Sequence, residues 1–364
     1  MKANIRTLVK PCGLGVIVTT IALIAAGCGT TAASSSGKAT TPKHLVLSAT
    51  GLPVLSSSTT FAIGDGGSSP SVADTNAWLI SQFLTQWGAT TSYHLAVGTA
   101  PMDAVLNNSL TETNGPMADD LDVGLVLFAP NQPHVDYELV SASDTHLSQL
   151  KGQNIAVTAP GDITQYLNGI VLGRSSISLK QVTITYTGTS SSSIEAAVKG
   201  IVNAAWVHST QVVSLPNEGR NLHVLAVGSK VAPFLADSYL AANGPWLKAN
   251  PAYAEAIDLA WIKGANIFAN SESQWVKYAQ QYTDNVGTVA STKAAWLGEH
   301  QVSAWTVANG AEFTAAALGQ NYQAIKAQGE ISGRGNRPQS AWLDLTAWNA
   351  AIAVYESHKR AYGG

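Results

Sequence analysis

Cysteine and charged side chains are both scarce in this sequence. The 364 residues include two cysteines, Cys12 and Cys28, and charged side chains make up 12% of the chain. Everything after Cys28 therefore lacks a thiol for a disulfide or for thiol-based catalysis. The 20 basic and 23 acidic side chains are dispersed, and no basic stretch predicts binding of a nucleic acid.

Familiar catalytic and metal-binding motifs are also missing. The sequence has no Gly-x-Ser-x-Gly, no His-Glu-x-x-His and no phosphate-binding loop, and its eight histidines lack metal-ligand spacing. The acidic pair Asp119-Asp120 falls in a predicted loop, which we interpret as a solvated turn. We expect no enzyme activity, no cofactor and no bound metal, although a triad built from distant residues stays open.

The N-terminus has the pattern of an export signal. Three basic residues precede an apolar stretch from Gly13 to Gly27, which at about 15 residues is short for a membrane span. Residues 28–43 are rich in Gly, Ser and Thr and predict a flexible linker. Removal of residues 1–27 takes three of the 20 basic side chains and leaves 17 against 23 acidic ones, so the remaining chain is mildly acidic.

The segment Ala25-Ala26-Gly27-Cys28 resembles the lipobox of bacterial lipoproteins. The resemblance implies a signal peptide over residues 1–27 and acyl chains such as palmitate on Cys28. It also implies an extracytoplasmic location, at the outer face of the cytoplasmic membrane or in the periplasm. An ordinary secretory signal with an unrelated cysteine is the alternative.

Strand and helix patterns alternate along the middle of the chain. Asn154–Val157 and Gln181–Tyr186 predict strands, and Ile163–Leu172 between them predicts a helix. Asp122–Phe128 is a further strand prediction, and the pattern becomes helical from Pro233 onward. This alternation predicts an α/β fold with mostly parallel sheet and helices on both faces.

Two segments of this region resemble a known family. They read Leu150-Lys151-Gly152-Gln153-Asn154-Ile155-Ala156-Val157 and Ala196-Ala197-Val198-Lys199-Gly200-Ile201-Val202-Asn203-Ala204-Ala205-Trp206. Both are similar to the nitrate/sulfonate/taurine-like branch of substrate-binding proteins of ABC importers, with the type II periplasmic-binding-protein fold. Asn203 stands where that branch usually has Asp.

The resemblance implies two lobes, each a mostly parallel sheet flanked by helices, with a helical C-terminal part. We predict lobe I over residues 44–142 and 235–364, and lobe II over residues 143–234. The implied function is capture of a small organic solute between the lobes and its delivery to an ABC permease, by a monomer held at the membrane through Cys28. The alternatives are an enzyme of cofactor-precursor metabolism on the same fold and a solute-sensing module for a membrane receptor.

Candidate ligand-binding residues lie where predicted strands end and helices begin, because ligands of α/β sheets bind at that edge. They are Gly64, Asp65, Gly66, Ser68, Thr99, Gly161, Asp162, Ile163, Thr164, Thr187, Trp206 and His208. Glycines admit close backbone approach, hydroxyls donate hydrogen bonds, and Trp206 could stack on a ligand. Asp162 opposes an anion if it faces the cleft, or caps its own helix. The sequence leaves the ligand open between an anion, an amine and a neutral ring.

Overall fold

The structure is a computed structural model that describes residues 44–66, 70–96, 100–115, 117–160, 162–213, 221–233, 235–285, 287–306, 313–329 and 331–364. All of them fall within one structural unit of the chain, Thr41–Gly364. The predicted signal peptide, Cys28 and the predicted linker lie outside the described residues. Within the described ranges, no helix combines the length and the apolar content needed to cross a bilayer.

The strands are short and distributed over most of the chain. They are β1 (Thr60–Gly66), β2 (Thr90–Ala96), β3 (Glu112–Gly115), β4 (Val126–Gln132), β5 (Tyr137–Ser141), β6 (Asn154–Val157), β7 (Thr183–Tyr186), β8 (Ala204–His208), β9 (His223–Val227) and β10 (Ser238–Ala242).

Helices connect these strands and make up the region after β10. They are α1 (Thr75–Gln86), α2 (Ala100–Leu106), α3 (Met117–Val123), α4 (Ile163–Arg174), α5 (Ser190–Val198), α6 (Ser209–Val212), α7 (Gly228–Val231), α8 (Gly244–Ala249), α9 (Pro251–Asn270), α10 (Glu272–Tyr282), α11 (Val289–Gln301), α12 (Ala315–Ala327) and α13 (Thr346–Ser357).

Two five-stranded sheets form the frame of the molecule. The first has the order β2-β1-β3-β10-β4 and the second has the order β7-β6-β8-β5-β9. In each sheet one strand is antiparallel to its neighbours, β10 in the first and β5 in the second, and the other strands run parallel. The predicted α/β class, with mostly parallel sheets flanked by helices, is confirmed.

The inner strands are buried on both faces, as expected when helices cover both sides of a parallel sheet. Every residue of β3 and of β5 is buried, whereas the edge strands β2 and β7 carry exposed positions. Helix α9 buries a long apolar side that includes Ile257, Trp261 and Phe268, and it packs against α1 and α13. The core of the first sheet therefore depends on helices from the C-terminal part of the chain.

The chain passes from the first sheet to the second through residues 133–136, between β4 and β5. It returns between α7 and β10, so β10 inserts between β3 and β4. Parallel strands of one sheet end at a common edge, and the start of antiparallel β10 lies at the same edge, where Ser238 pairs with Gln132. The carboxyl-end edge of each sheet is thereby the place where a site can form.

Two predictions in the region before β4 are wrong. Asp122–Phe128 is not one strand, because α3 continues to Val123 and β4 begins at Val126; Gly124, with φ of +103°, separates them. The pair Asp119-Asp120 is not a solvated turn, since both residues belong to α3 and Asp120 is fully buried.

Glycine at position 115 makes room for Asp120. A Cβ atom at Gly115 would lie 2.9 Å from Oδ1 of Asp120 and 2.6 Å from the end of the Met102 side chain. The missing side chain on β3 is the physical reason that an aspartate on α3 can pack inward.

Candidate functional site

A cavity of about 510 Å³ lies at the carboxyl-end edges of the two sheets. Its lining residues come from β1, β3, β4 and β10 of the first sheet, from the β5 and β6 ends of the second sheet, and from neighbouring helices and loops. They are Asp65, Gly66, Ala73, Asp74, Asn114, Gly115, Asp119, Asn131, Gln132, Tyr137, Ala159, Pro160, Asp162, Ile163, Asp237, Ser238 and Trp305. The volume is in the range of sites that enclose a small molecule.

Five aspartates line this cavity, and no lysine, arginine or histidine is among its described lining residues. Asp65, at the end of β1, is 7% exposed. Its Oδ1 atom accepts a hydrogen bond from the backbone N–H of Gly66 at 2.8 Å, and the Tyr93 hydroxyl donates to Oδ2. Burial raises the pKa of Asp65 to about 7, against the two hydrogen bonds, which lower it.

Asp237 lies on the return connection, just before β10. Burial and the negative charge of Asp136 raise its pKa, the charge of His208 lowers it, and the net result is a pKa of about 8. Asp74, just before α1, also has a pKa well above its ordinary value, because it is buried and lies near Asp65. A negative charge on these carboxyls is costly without a cation nearby.

Asp162 is the N-cap of α4. Its Oδ1 atom accepts hydrogen bonds from the backbone N–H of Thr164 at 2.8 Å and from the Thr164 hydroxyl at 3.0 Å. Its backbone is extended, as an N-cap requires, and Ile163 is the first helical residue. The two readings of Asp162 left open by the sequence are therefore both realised, because the residue caps α4 and also lines the cavity.

His208 at the end of β8 pairs with a buried aspartate beside the cavity. Its Nδ1 atom lies 3.0 Å from Oδ2 of Asp136, and the two side chains are 32% and 2% exposed. Burial lowers the pKa of His208, but the charge and the hydrogen bond of Asp136 raise it, with the net result of about 9. The charge of His208 is thus balanced by Asp136. The imidazole ring packs on Tyr137, with ring centroids 4.2 Å apart.

Two buried amide side chains of the cavity wall have oxygen atoms without a partner. Asn114 and Asn131 are 4% and 6% exposed, and neither Oδ1 atom has a hydrogen bond within the described structure. The Nδ2 groups are used, since that of Asn114 donates to the carbonyl of Gly64 at 3.3 Å and that of Asn131 contacts the Ser238 hydroxyl at 2.9 Å. Buried acceptors of this kind normally have a donor.

Aromatic rings form part of the same wall. Tyr137 and Trp305 both line the cavity, and Trp305 is almost fully buried. The indole N–H of Trp305 donates to Oε2 of Glu299 at 2.9 Å, which fixes the ring on the C-terminal side of α11. The site therefore offers carboxylates, amide oxygens and two aromatic rings.

The twelve ligand-binding residues predicted from the sequence fall into three groups in the structure. Asp65, Gly66, Asp162 and Ile163 line the cavity. The residues that do not line it are Gly64, Thr164, Thr187, Trp206 and His208. Ser68, Thr99 and Gly161 lie outside the described residues.

The residues away from the cavity have structural partners instead. Trp206 is fully buried on β8, and its Nε1 atom donates to Oδ1 of Asn168 at 3.4 Å. The Thr187 hydroxyl contacts the Ser193 hydroxyl at 2.6 Å and donates to the carbonyl of Val157 at 3.2 Å. Their role in binding a solute stays a prediction.

Several lining residues were missed by the sequence analysis. Asn114, Asn131 and Asp237 belong to strands or connections that the local pattern did not identify as part of a site. The two asparagines lie near the carboxyl ends of β3 and β4, where ligands of α/β sheets bind. Correct bounds for these two strands would therefore have identified both residues. Asp237 gave no local signal, because it reaches the site only when β10 inserts between β3 and β4.

A second, larger depression of about 990 Å³ lies elsewhere on the first sheet. Its lining includes Val126 at the start of β4 and Asn243 just after β10, so it lies at the opposite edge of that sheet. Ligands of α/β sheets bind at the carboxyl-end edge, which favours the cavity with Asp65. In the described ranges, no group of three or more His, Cys, Asp or Glu side chains is arranged to hold a metal ion.

No protein-family model matches the chain, and no curated protein matches its sequence. Solved structures do match its fold. The periplasmic sulfonate-binding protein SsuA from Methylobacillus flagellatus KT has a TM-score of 0.65 at 14% identity, covering 83% of this chain and 96% of that one.

The periplasmic nitrate-binding protein NrtA from Synechocystis PCC 6803 also has a TM-score of 0.65, at 10% identity, covering 82% of this chain and 89% of that one. A mutant of DszB in complex with biphenyl-2-sulfinic acid has a TM-score of 0.55 at 10% identity, covering 81% of this chain and 99% of that one. The likeness to sulfonate-binding and nitrate-binding proteins, which the sequence motifs indicated, is thus confirmed at the level of the fold.

Proposed function

We propose that this chain is the solute-binding component of an ABC importer and encloses a small molecule in the cavity between its two sheets. The observation that carries the proposal is the 510 Å³ cavity, lined from the carboxyl-end edges of both sheets. Similar folds belong to periplasmic binding proteins for sulfonate and nitrate. The partner of the loaded form is then a membrane permease.

The proposal includes two lobes that close by hinge bending. Strands β5 to β9 form one sheet, which we assign to lobe II. The chain then crosses from lobe I to lobe II at residues 133–136, before β5, and returns to lobe I between α7 and β10. This moves the sequence-based boundary of lobe II from residue 143 to Tyr137. Closure is selective only if the closed form binds the solute more tightly than the open form.

We further propose that Cys28 carries the lipid anchor and that residues 28–43 tether a monomeric binding domain to the outer face of the cytoplasmic membrane. Support comes from the sequence pattern at Ala25-Ala26-Gly27-Cys28. The test is expression in a bacterium with the native N-terminus, followed by membrane fractionation. Wild-type protein should remain with the membranes, and Cys28→Ser should not; equal distribution of both would contradict the anchor.

An enzyme on this fold is the alternative function; the similar structure of DszB holds biphenyl-2-sulfinic acid. The described residues include one imidazole–carboxylate pair beside the cavity, His208 and Asp136. Within the described structure no hydroxyl or thiol hydrogen-bonds to Nε2 of that imidazole, and the ring already packs on Tyr137. We therefore propose binding without chemical conversion; release of a modified solute after incubation would favour the enzyme.

The direct test of solute binding is a pair of matched glycine substitutions. Gly66 lines the cavity, and a Cβ atom there meets nothing within 4 Å; Gly173 on α4 has equally open space but does not line the cavity. Both positions lack a positive φ, so Gly66→Leu and Gly173→Leu should fold. The leucine at position 66 should occupy space that a solute needs.

The full chain is screened by thermal denaturation against organic acids, amines, sulfonates and vitamins, and by native mass spectrometry for co-purifying molecules. A solute at 100 times its Kd stabilises by about 2.7 kcal/mol, which raises the Tm by roughly 3–5 °C for a chain of this size. Wild type and Gly173→Leu should show the shift, and Gly66→Leu should not. No shift and no co-purifying molecule would contradict the proposed function.

A further inference from the structure

We propose that the solute of this cavity is an organic cation, that is, an amine, guanidinium or quaternary ammonium compound, and not an anion. The inference rests on the proposed binding function and specifies the chemistry of its ligand. It differs from what the names of the similar binding proteins report, namely sulfonate and nitrate. The charges, hydrogen-bonding groups and aromatic faces of the wall each support it.

The first step concerns charge. Asp65, Asp74, Asp119, Asp162 and Asp237 line the cavity, and the described lining includes no basic side chain. His208, whose charge acts on Asp237 from outside the lining, is already paired with Asp136 at 3.0 Å. A low-dielectric cavity with carboxylates of one sign favours positive solutes and repels negative ones.

The second step concerns the helix N-terminus. A site without basic side chains can bind an anion through the free backbone N–H groups at the start of a helix. Here the N-terminus of α4 is occupied by the chain's own carboxylate, because Asp162 accepts the Thr164 N–H at 2.8 Å. An anionic ligand at that position would have to displace Asp162 or approach it closely. Asp162 therefore places a negative charge at the position where an anion would approach α4.

The third step concerns hydrogen bonds. The Oδ1 atoms of Asn114 and Asn131 are buried acceptors without a donor in the described structure. One N–H of the Asn114 Nδ2 group donates to the Gly64 carbonyl, whereas its Oδ1 acceptor has no partner in the described structure. Acceptors in a wall suit a ligand that brings N–H donors, as ammonium and guanidinium groups do.

The fourth step concerns the aromatic faces. Tyr137 and Trp305 line the same cavity as the carboxylates. Aromatic faces attract cations through the ring quadrupole, and they also cover the apolar part of an organic cation. A metal ion fits less well, because the described residues provide no cluster of three or more metal-ligating side chains.

The carboxyls also respond to a bound cation. Burial raises the pKa of Asp65 to about 7 and that of Asp237 to about 8, so both hold protons in part at neutral pH. A cation in the cavity lowers these pKa values, and its binding releases protons. The titratable groups that interact with the two carboxyls are Asp74, Tyr93, Glu112, Asp136, Tyr137, Asp162, His208, Tyr239 and Tyr282.

The experiment compares probes of matched shape and different charge on the full chain. The cations are choline, agmatine and putrescine, the neutral isostere of choline is 3,3-dimethylbutan-1-ol, and the anions are ethanesulfonate and nitrate. Calorimetric titration at pH 7 in two buffers of different ionisation enthalpy gives affinity and the number of protons released. Native mass spectrometry determines the charge class of any co-purifying solute.

The expected result is binding or co-purification of a cation with proton release, and affinity about 10- to 100-fold weaker in Asp237→Asn, since a charged hydrogen bond is lost. Asp103→Asn, on an exposed position of α2 outside the cavity, should bind as wild type does. Binding of an anion with proton uptake would overturn the inference and leave the binding function standing. Binding of nothing, with nothing co-purifying, would overturn both.

Discussion

Replacement of Asp65 by asparagine should make the empty protein more stable while weakening its cavity as a site for a cation. Asp65 is 7% exposed, and no basic side chain is among the described residues that line its cavity. Asparagine has nearly the same shape and keeps a hydrogen bond to each of the same two partners. Its Oδ1 accepts from the Gly66 N–H, as the carboxylate does. Its Nδ2 donates to the Tyr93 hydroxyl oxygen, so the direction of the hydrogen bond with Tyr93 is reversed.

The size of the gain follows from the ionisation of the carboxyl. The pKa of Asp65 rises from 3.8 to about 7, so the folded state binds the proton more tightly than the unfolded state. Stability is consequently lost as the pH rises from about 4 to 7. Each tenfold change in the ionisation equilibrium is worth about 1.4 kcal/mol, which sets an upper figure of about 4 kcal/mol at pH 8.

Relaxation and water penetration reduce such figures in proteins. We therefore expect Asp65→Asn to raise the free energy of unfolding by about 2 kcal/mol at pH 8 and by less than about 1 kcal/mol at pH 5. Urea unfolding of the full chain at both pH values measures the two differences. Asp103→Asn, an exposed substitution, serves as the control and should change stability by less than about 0.5 kcal/mol at either pH.

A loss of stability at pH 8 on replacement of Asp65, or a gain of equal size at pH 5, would refute the reasoning. The first result would mean that the ionised carboxylate has a partner that stabilises it. The second would mean that the gain arises from packing and not from charge.

Three further outcomes follow from the structure. Because the folded-state pKa of Asp237 is raised to about 8 and that of His208 to about 9, the Tm of the unliganded protein should fall from pH 6 to pH 9 in calorimetry, and a rise would contradict this. Gly298→Ala on α11 would place a Cβ 2.6 Å from the backbone carbonyl at the start of α6, so it should cost about 1–3 kcal/mol in urea unfolding, and no change would show that the two helices do not pack closely. Trp305→Phe removes the donor to the buried Glu299 carboxyl and should cost about 1–3 kcal/mol, whereas an unchanged midpoint would mean that another donor replaces it.

The sequence by itself determined the elements whose information is local. The strand prediction Asn154–Val157 coincides with β6, and the helix predicted from Ile163 starts at that residue because Asp162 caps it. An apolar run between turn residues and an N-cap followed by a periodic apolar side are properties of neighbouring residues. Such patterns were enough for the α/β class and for the order of motifs that indicated a solute-binding fold.

Other elements have no local sequence signal, and they form only because neighbouring strands supply their hydrogen bonds. β3, with the sequence Glu-Thr-Asn-Gly, has little strand propensity, yet β1 and β10 hydrogen-bond to it on its two sides and bury it completely. Burial is likewise decided by packing: Trp206 lies near a strand end, yet it is fully buried and donates to Asn168, and its predicted contact with a ligand stays a prediction.

The charge of the cavity is likewise a tertiary property. Asp65, Asp162 and Asp237 are separated from one another by more than 70 residues along the chain. The local sequence around each of them predicts only a loop residue or a helix cap. They meet because β10 returns to the first sheet and the β6–α4 loop of the second sheet faces the same space. Composition and local pattern specify which strands and helices form, whereas the sum of charges at a site depends on which distant segments the packing brings within a few ångströms.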